Sequence, residues 1–555
     1  MKRKRACLQT PRDLYLDDDC WERIFKFIFD DDDNDNNASY FKSLSLVNKH
    51  FLSITNRLRF SLTLWNPTCR LLSRLFPRFL NLISLDLSCY HGAINNLLVR
   101  ISCYPLKLTS LNLSNQPNIP ARGLTSFSQT ITTLTSLTCS NIASLSVADF
   151  LLISNCFPLL QELDLSVTKR IKVRLNASMS MLFPKLRKLN LYGHINKYMD
   201  DAWLLHFCKT SQFLQELVLV RCGFFTYQGI ASAIRERPTL KSLSITCRSK
   251  HGNITSHFIH TILSLKDLTC LDLTFSRISD DLLSSIATRG LPLKKLVLHN
   301  CDGYSYAGIF CLLSKSPCIQ HLNLQGSSFL NDQHVMNLSF FLGDLMSIDL
   351  SQCSMLSESS LLSLISNCLS LSEIKMNHTR IGNSFEDFVI SPQLKSLNLA
   401  HSFQLRDESI KMFAFIFPNL ELLDLSCCRN IYGEGICQVL RKCCKIKRLN
   451  LVGCLQLKLH GINFPVPKLK VLNLSYTSVD DETLYVIAKC CSGLLQLLLE
   501  GCDYVTKKGI VHVLKNCTQL KEINLENRKR KIYGGFLEYT DIEKFWIHGN
   551  KISLI

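Results

Sequence analysis

One apolar spacing runs through most of the chain: a leucine or isoleucine, two variable residues, a second apolar residue, one variable residue, and a third. It begins at Leu82, Leu108, Leu134, Leu160, Leu186, Leu214, Leu240 and Leu268. It continues at Leu293, Ile319, Leu345, Leu371, Leu394, Leu420, Ile446, Leu469, Leu494 and Leu520. Successive starts are mostly 26 residues apart, never fewer than 23 or more than 28. Eighteen copies in one phase are a repeat, not a coincidence.

Each start predicts a short strand. In Leu420-Glu-Leu-Leu423-Asp-Leu425, alternation turns Leu423 and Leu425 inward and Asp424 outward. About ten residues on, a helix is predicted: Asp480 suits an N-cap, and Leu484, Ile487 and Ala488 line one face. One strand and one helix cannot bury their apolar faces alone, but stacked neighbours can. Parallel strands then form a concave face and helices a convex one.

The same frame orders the cysteines. Cys222, Cys301, Cys353, Cys428, Cys454 and Cys502 each lie eight residues after a start, where the chain leaves the strand. A second set, Cys156, Cys368, Cys443, Cys444, Cys490, Cys491 and Cys517, falls at the predicted helix exits. No two of the 26 cysteines are three apart, so the spacing that zinc and redox motifs need is missing. These thiols read as small core residues, and no metal or cofactor is expected.

Composition narrows the setting. The sequence holds 46% hydrophobic and 19% charged residues, which is globular. No apolar stretch follows the basic start Lys2-Arg-Lys-Arg5, and no run is long enough to span a membrane, so a nuclear or cytoplasmic protein is expected. The net charge is +18, but residues 13–35 hold ten acids against two bases, leaving +26 elsewhere. Without a nucleic-acid motif, that excess points to an acidic protein partner sooner than to nucleic acid.

Repeats of this length, with Cys where other classes place Asn, resemble the cysteine-containing subclass of leucine-rich repeats, of the plant-like kind. Asn430-Ile-Tyr-Gly-Glu-Gly435-Ile436, Val505-Thr-Lys-Lys-Gly509-Ile510 and Phe225-Thr-Tyr-Gln-Gly229-Ile230 share its second-half frame. The resemblance implies an α/β solenoid of horseshoe form. Ahead of it, Trp21, Ile24, Phe25 and Ile28 fall at helical spacing, and Leu44, Val47, Phe51 and Ile54 on later helical turns. About fifty residues cannot bury a large core alone.

This stretch resembles an F-box. Leu16 is its opening leucine, Cys20-Trp-Glu-Arg-Ile-Phe25 its first helix, and Leu46-Val-Asn-Lys-His-Phe51 its second signature segment. Asp17 stands where the family carries Pro, and the acidic run Asp30 to Asn37 lengthens the helix connection. The resemblance implies docking onto a Skp-type adaptor, and through it a cullin, by Leu16, Trp21, Ile24, Phe25, Val47 and Phe51 or by the packing beneath them. Together the readings give a basic tail (1–13), F-box (14–60), linker and cap (61–81), repeats (82–527) and a basic tail with cap (528–555).

No phosphate loop, nucleophile elbow or paired His–Cys site appears, so a non-catalytic role is expected. The implied role is the substrate-recognition subunit of an SCF-type ubiquitin ligase, with an interaction scaffold lacking ligase activity as the alternative. Twelve of the eighteen residues four after a start are Asp or Asn, which suits a polar ladder. Positions six and seven vary more and hold large side chains: Phe275, His299, His378, His401 and Tyr476. These are the candidate target-binding residues, expected on one concave arc.

Overall fold

The computed structural model describes residues 16–30, 43–66, 71–167, 171–172, 183–193, 200–246, 254–382, 389–525, 544–548 and 551–554. The acidic run from residue 31 and the basic clusters Lys2–Arg5 and Arg528–Lys531 lie outside them. The chain divides into two compact units, Met1–Phe225 and Thr226–Ile555.

In the first unit, helices α1 (Asp18–Asp30) and α2 (Lys49–Arg57) precede a series of parallel strands. The register is unbroken: Leu62, Leu85, Leu111, Leu137, Leu163, Leu189 and Leu217 lie side by side. The first of these strands, Ser61–Thr63, lies in the segment read as linker. Arg59 occupies the position where the other copies begin with leucine or isoleucine. It stacks 5.2 Å from the Phe79 ring, and burial lowers its pKa.

The second unit repeats the pattern from Ser242–Ile245 to Glu522–Asn524. Strand Lys544–His548 then pairs antiparallel with Glu522–Asn524 and ends the parallel series. As the alternation requires, Leu423 and Leu425 are fully buried and Asp424 is half-exposed.

Three contacts recur at the strand exits. The Asp or Asn four residues after a start accepts the N–H two residues on, as in Ser426 to Asp424 (2.9 Å) and Ser475 to Asn473 (3.1 Å). The residue seven after a start turns left-handed, and its N–H donates to a carbonyl of the next repeat. His378 thus reaches Ala400 at 2.9 Å, and His401 reaches Ser426 at 2.7 Å. The thiol eight after a start points back to the preceding repeat: Cys428 to the Leu399 carbonyl (3.4 Å), Cys454 to Leu425 (3.3 Å), Cys301 to Leu273 (2.9 Å). Each repeat is held from both sides.

The helices are joined in a second layer. An acid in the first turn of one helix accepts the cap N–H of the next: Ser305 to Asp280 (2.8 Å), Ser357 to Asp332 (2.9 Å), Thr506 to Asp481 (2.8 Å). Asp480 caps its helix from the Thr483 N–H at 2.9 Å, and Leu484, Ile487 and Ala488 are buried. The glycines of the shared frame sit where helices approach most closely. A Cβ on Gly435 would lie 2.7 Å from the Asp407 carbonyl oxygen.

Among the repeats described in full, one departs from strand-plus-helix. Between strands Arg448–Asn450 and Val471–Asn473 no helix forms. Pro465 and Pro467 lack the amide a helix interior needs, and the loop instead buries Leu457, Leu459, Ile462 and Val466. Both units carry the α/β leucine-rich-repeat fold.

Candidate functional site

The N-terminal module has a small core. Phe25, Ile54 and Leu58 are buried, with Trp21, Leu44 and Phe51 packed on them. Three rings close on one another: Trp21–Phe51 at 4.7 Å, Phe25–Phe51 at 5.0 Å, Trp21–Phe25 at 5.9 Å. The six residues assigned to adaptor docking therefore separate. Trp21, Phe25 and Phe51 hold the helices together, while Leu16, Ile24 and Val47 face outward at 37%, 38% and 61% exposure. Leu46, exposed at 76%, joins the outward set. Val47 lies in a turn and not on a helix; Asn48 follows and caps α2 through the Phe51 N–H at 2.7 Å.

Polar contacts fix this arrangement. The Arg57 guanidinium reaches Asp18 and Glu22 at 2.7 Å each, tying α2 to α1. Asp17 accepts the Cys20 N–H at 2.8 Å, supplying a helix-start acceptor that a Pro at this position could not. That hydrogen-bonding holds its carboxyl below the usual range.

The target-binding candidates do not sit on the strand face. Phe275, His378, His401 and Tyr476 are all at the left-handed turn, with φ of 60°, 56°, 60° and 57°. His299 lies one residue earlier in its repeat, and its carbonyl accepts the Phe275 N–H at 2.9 Å. Neighbours along the turn stack: His378 on His401 (4.1 Å, 7°), and Phe275 against His299 (4.9 Å). Tyr476 is further along and reaches Glu500 through its hydroxyl. The five form separate stations on one rim, and His378–His401 is the densest, flanked by Phe403 with Arg429 above its ring at 5.6 Å. The sequence frame located these residues, but alternation alone carried no sign of the left-handed turn.

At His401, burial, with the neighbouring His378 next, lowers the pKa. The folded state thus resists protonating a group that the unfolded chain protonates freely. This contribution to stability is present above the ordinary histidine pKa and is lost as pH falls through it. Acidifying from neutral pH should lower the Tm of wild type more than that of His401→Gly, measured by scanning calorimetry.

The buried cysteines are packing groups. Burial pushes Cys301, Cys353, Cys368, Cys428, Cys443, Cys454 and Cys491 up to about 12. Cys444, assigned to the buried set, is exposed, as are Cys20, Cys103 and Cys318. Among the described thiols, alkylation of native protein near pH 8 should mark these four before the seven raised ones, which should react only on unfolding. Mass spectrometry reads this directly; early loss of Cys428 would overturn it.

Among the described residues, His460, Asp480 and Glu482 bring three metal-ligand-type atoms within 4.8 Å. Asp480 is already committed as a helix cap to the Thr483 N–H and hydroxyl, both at 2.9 Å. No helix of the described residues is long and apolar enough to cross a membrane.

No family model matches the chain. Over 342 residues, 58% of its length, it is 23% identical to the BTB/POZ domain-containing protein FBL11 of Arabidopsis thaliana. The chain spans about a third of that relative's length (33%). A chain of the yeast Rad7 and Elc1 complex aligns over 89% of this chain and 90% of its own, at 15% identity and a TM-score of 0.36. One from the mouse RP105/MD-1 complex aligns over 84% and 85%, at 16% identity and a TM-score of 0.40.

Proposed function

We propose that the chain is the substrate-recognition subunit of an SCF-type cullin ubiquitin ligase. Its N-terminal module binds a Skp-type adaptor, and its repeats hold a protein target. The supporting observation is the outward set Leu16, Ile24, Leu46 and Val47 on a module whose described core is the three buried residues Phe25, Ile54 and Leu58. Burying apolar surface is worth roughly 25 cal/mol per Å², so such a set favours a partner over water. The chain performs no bond chemistry in this role. It raises the effective concentration of a target beside another protein's active site.

The test is Ile24→Asp. Ile24 is exposed at 38%, so the change leaves the core intact but places an unpaired charge in the dry interface. Co-purification with the adaptor should fall at least about tenfold, with the Tm unchanged. Recovery at wild-type yield would sink the proposal.

The alternative is a scaffold whose helical module only seals the first repeat. It is favoured by the Asn81 side chain, which donates to the Arg57 carbonyl at 2.9 Å, and by the short step from α2 to strand Ser61–Thr63. The same pull-down separates the two, since a seal has no adaptor to lose.

A further inference from the structure

Parallel strands joined through helices make each helix run back against its strand, so helix ends and strand beginnings share one edge. In the second unit, seven turns on this edge feed the strands from Glu373–Lys375 to Glu522–Asn524. Contacts between turns keep them in a row. The Ser391 N–H donates to the Ile416 carbonyl at 2.7 Å, and the Cys443 thiol to that of Phe417 at 3.3 Å. Further on, the Val466 N–H donates to the Cys490 carbonyl at 2.7 Å, and the Cys517 thiol to that of Cys491 at 3.9 Å.

The edge has two parts. The first is apolar: Leu369, Val389, Ile390 and Phe415 are 71%, 52%, 61% and 45% exposed. Such side chains gain by leaving water when a second surface covers them. Glu373 and Glu421 lie on the same turns, but each is paired, with Lys375 at 2.8 Å and Lys447 at 3.0 Å. Exposed Asp344, one turn earlier, ends the apolar part.

The second part is basic. The eight-residue stretches that end on Arg448, Val471, Gln496 and Glu522 hold ten Lys or Arg and one acid, Glu522. Bases in a last helical turn answer the helix dipole, which accounts for Arg441, Lys442, Lys489 and Lys515. It does not account for Lys445, Lys468 and Lys470, which lie outside the helices. Among the described residues these three have no carboxylate partner. The acids of these repeats sit at the opposite edge, where Glu434, Asp480, Asp481 and Glu482 open the helices. Nine or ten helical residues hold them about 14 Å away. That exceeds the screening length of about 8 Å at physiological salt.

An apolar run beside a basic run, on one edge, matches an anionic bilayer, which offers an acyl boundary beneath negative headgroups. Eight of the ten bases are lysines, whose mobile point charges suit headgroups that diffuse better than a fixed bidentate partner. An acidic peptide would answer the lysines but leave Leu369 and Ile390 in water. RNA needs open rings for stacking, yet Phe415 already carries Lys442 at 5.7 Å and Phe464 carries Arg441 at 4.9 Å. We propose that this edge binds peripherally to an anionic lipid surface. Leu369, Val389 and Ile390 enter the headgroup–acyl boundary, and Lys445, Lys468 and Lys470 meet the headgroups. The edge lies in a different unit from the adaptor module, so this inference does not depend on the ligase reading.

The experiment sediments the full chain with sucrose-loaded phosphatidylcholine vesicles, either neutral or carrying about 30% phosphatidylserine. The anionic vesicles should retain at least about tenfold more protein, and added salt should release it. Lys445→Glu with Lys468→Glu should lower partitioning at least about tenfold. Leu369→Ser with Ile390→Ser, at exposed positions, should lower it at least about fivefold. Lys507→Glu with Lys508→Glu, an equal charge change at the exposed start of a helix, should leave it within about twofold. If the Lys445–Lys468 pair lowers the Tm, Lys445→Gln with Lys468→Gln replaces it and should still weaken binding. Three results overturn the proposal: no preference for anionic vesicles, equal loss in both lysine pairs, or no loss in the Leu369–Ile390 pair. If the vesicles fail but a glutamate-rich peptide or single-stranded RNA binds through the same lysines, the partner is no membrane and the proposal falls.

Discussion

Gly435→Val is expected to unfold much of the second unit. Gly435 is buried near the start of helix Glu434–Lys442, facing the preceding helix. A Cβ there would lie 2.7 Å from the Asp407 carbonyl oxygen and 2.8 Å from the Ile410 Cβ. The first contact is backbone, which cannot rotate aside. The Asp407 carboxylate also accepts the Tyr432 N–H at 3.2 Å, so any shift of the helices breaks the cap that joins them. A loss of about 3 kcal/mol is expected, read by chemical denaturation. Alanine gives the sharper comparison. Its helix preference exceeds that of glycine by about 1 kcal/mol, so on propensity alone Gly435→Ala would stabilise. The close approach predicts the opposite sign. Gly343→Ala, where a Cβ meets nothing within 4 Å, is the control and should change little.

His378→Gly with His401→Gly should abolish target capture without loss of stability. A core aromatic or leucine cut back to a small residue costs about 2–5 kcal/mol. These two are different. Each holds a left-handed backbone, which disfavours any residue bearing a Cβ by about 1 kcal/mol and suits glycine. The ring stacking they lose is of similar size. The Tm should therefore stay level or rise while binding disappears, read by thermal denaturation and by capture of the target. A fall in Tm of core magnitude would place these imidazoles among the packing residues. Bulky side chains kept at a strained, half-exposed turn are more readily explained by contact with another molecule than by packing.

Much of the fold was legible because its signals are local and repeated. Eighteen leucine or isoleucine starts placed the strands, Asp480 placed a cap, and the cysteine frame placed the thiols that lean on the preceding repeat. Single substitutions hid the rest. Arg59 concealed a strand because stacking on Phe79 did the work of leucine. The repeat beginning at Ile446 kept its apolar count, so it read as helical although Pro465 and Pro467 forbid that. In the N-terminal module, helical spacing selected Trp21, Ile24, Phe25 and Phe51 alike. Spacing identifies an apolar side chain but does not say whether it meets its own core or faces out. At the rim, period-two alternation stops at the strand end, and the left-handed turn lies one step beyond it.

The strand-exit contacts give the stack a direction. In the second unit each turn amide leans forward on the next repeat, and each thiol leans back on the one before. Cutting away repeats from the C-terminal side strands these forward amides, which are strong donors that require an acceptor. Cutting from the N-terminal side strands amides as well as thiols, because strand-entry and cap N–H groups lean back: Lys395 and Ser396 on the Ser372 carbonyl, Ser305 on Asp280. Neither end of the array can thus be shortened without a new cap. A ribosome meets one of these losses in time: each repeat it releases stays incomplete until its successor emerges.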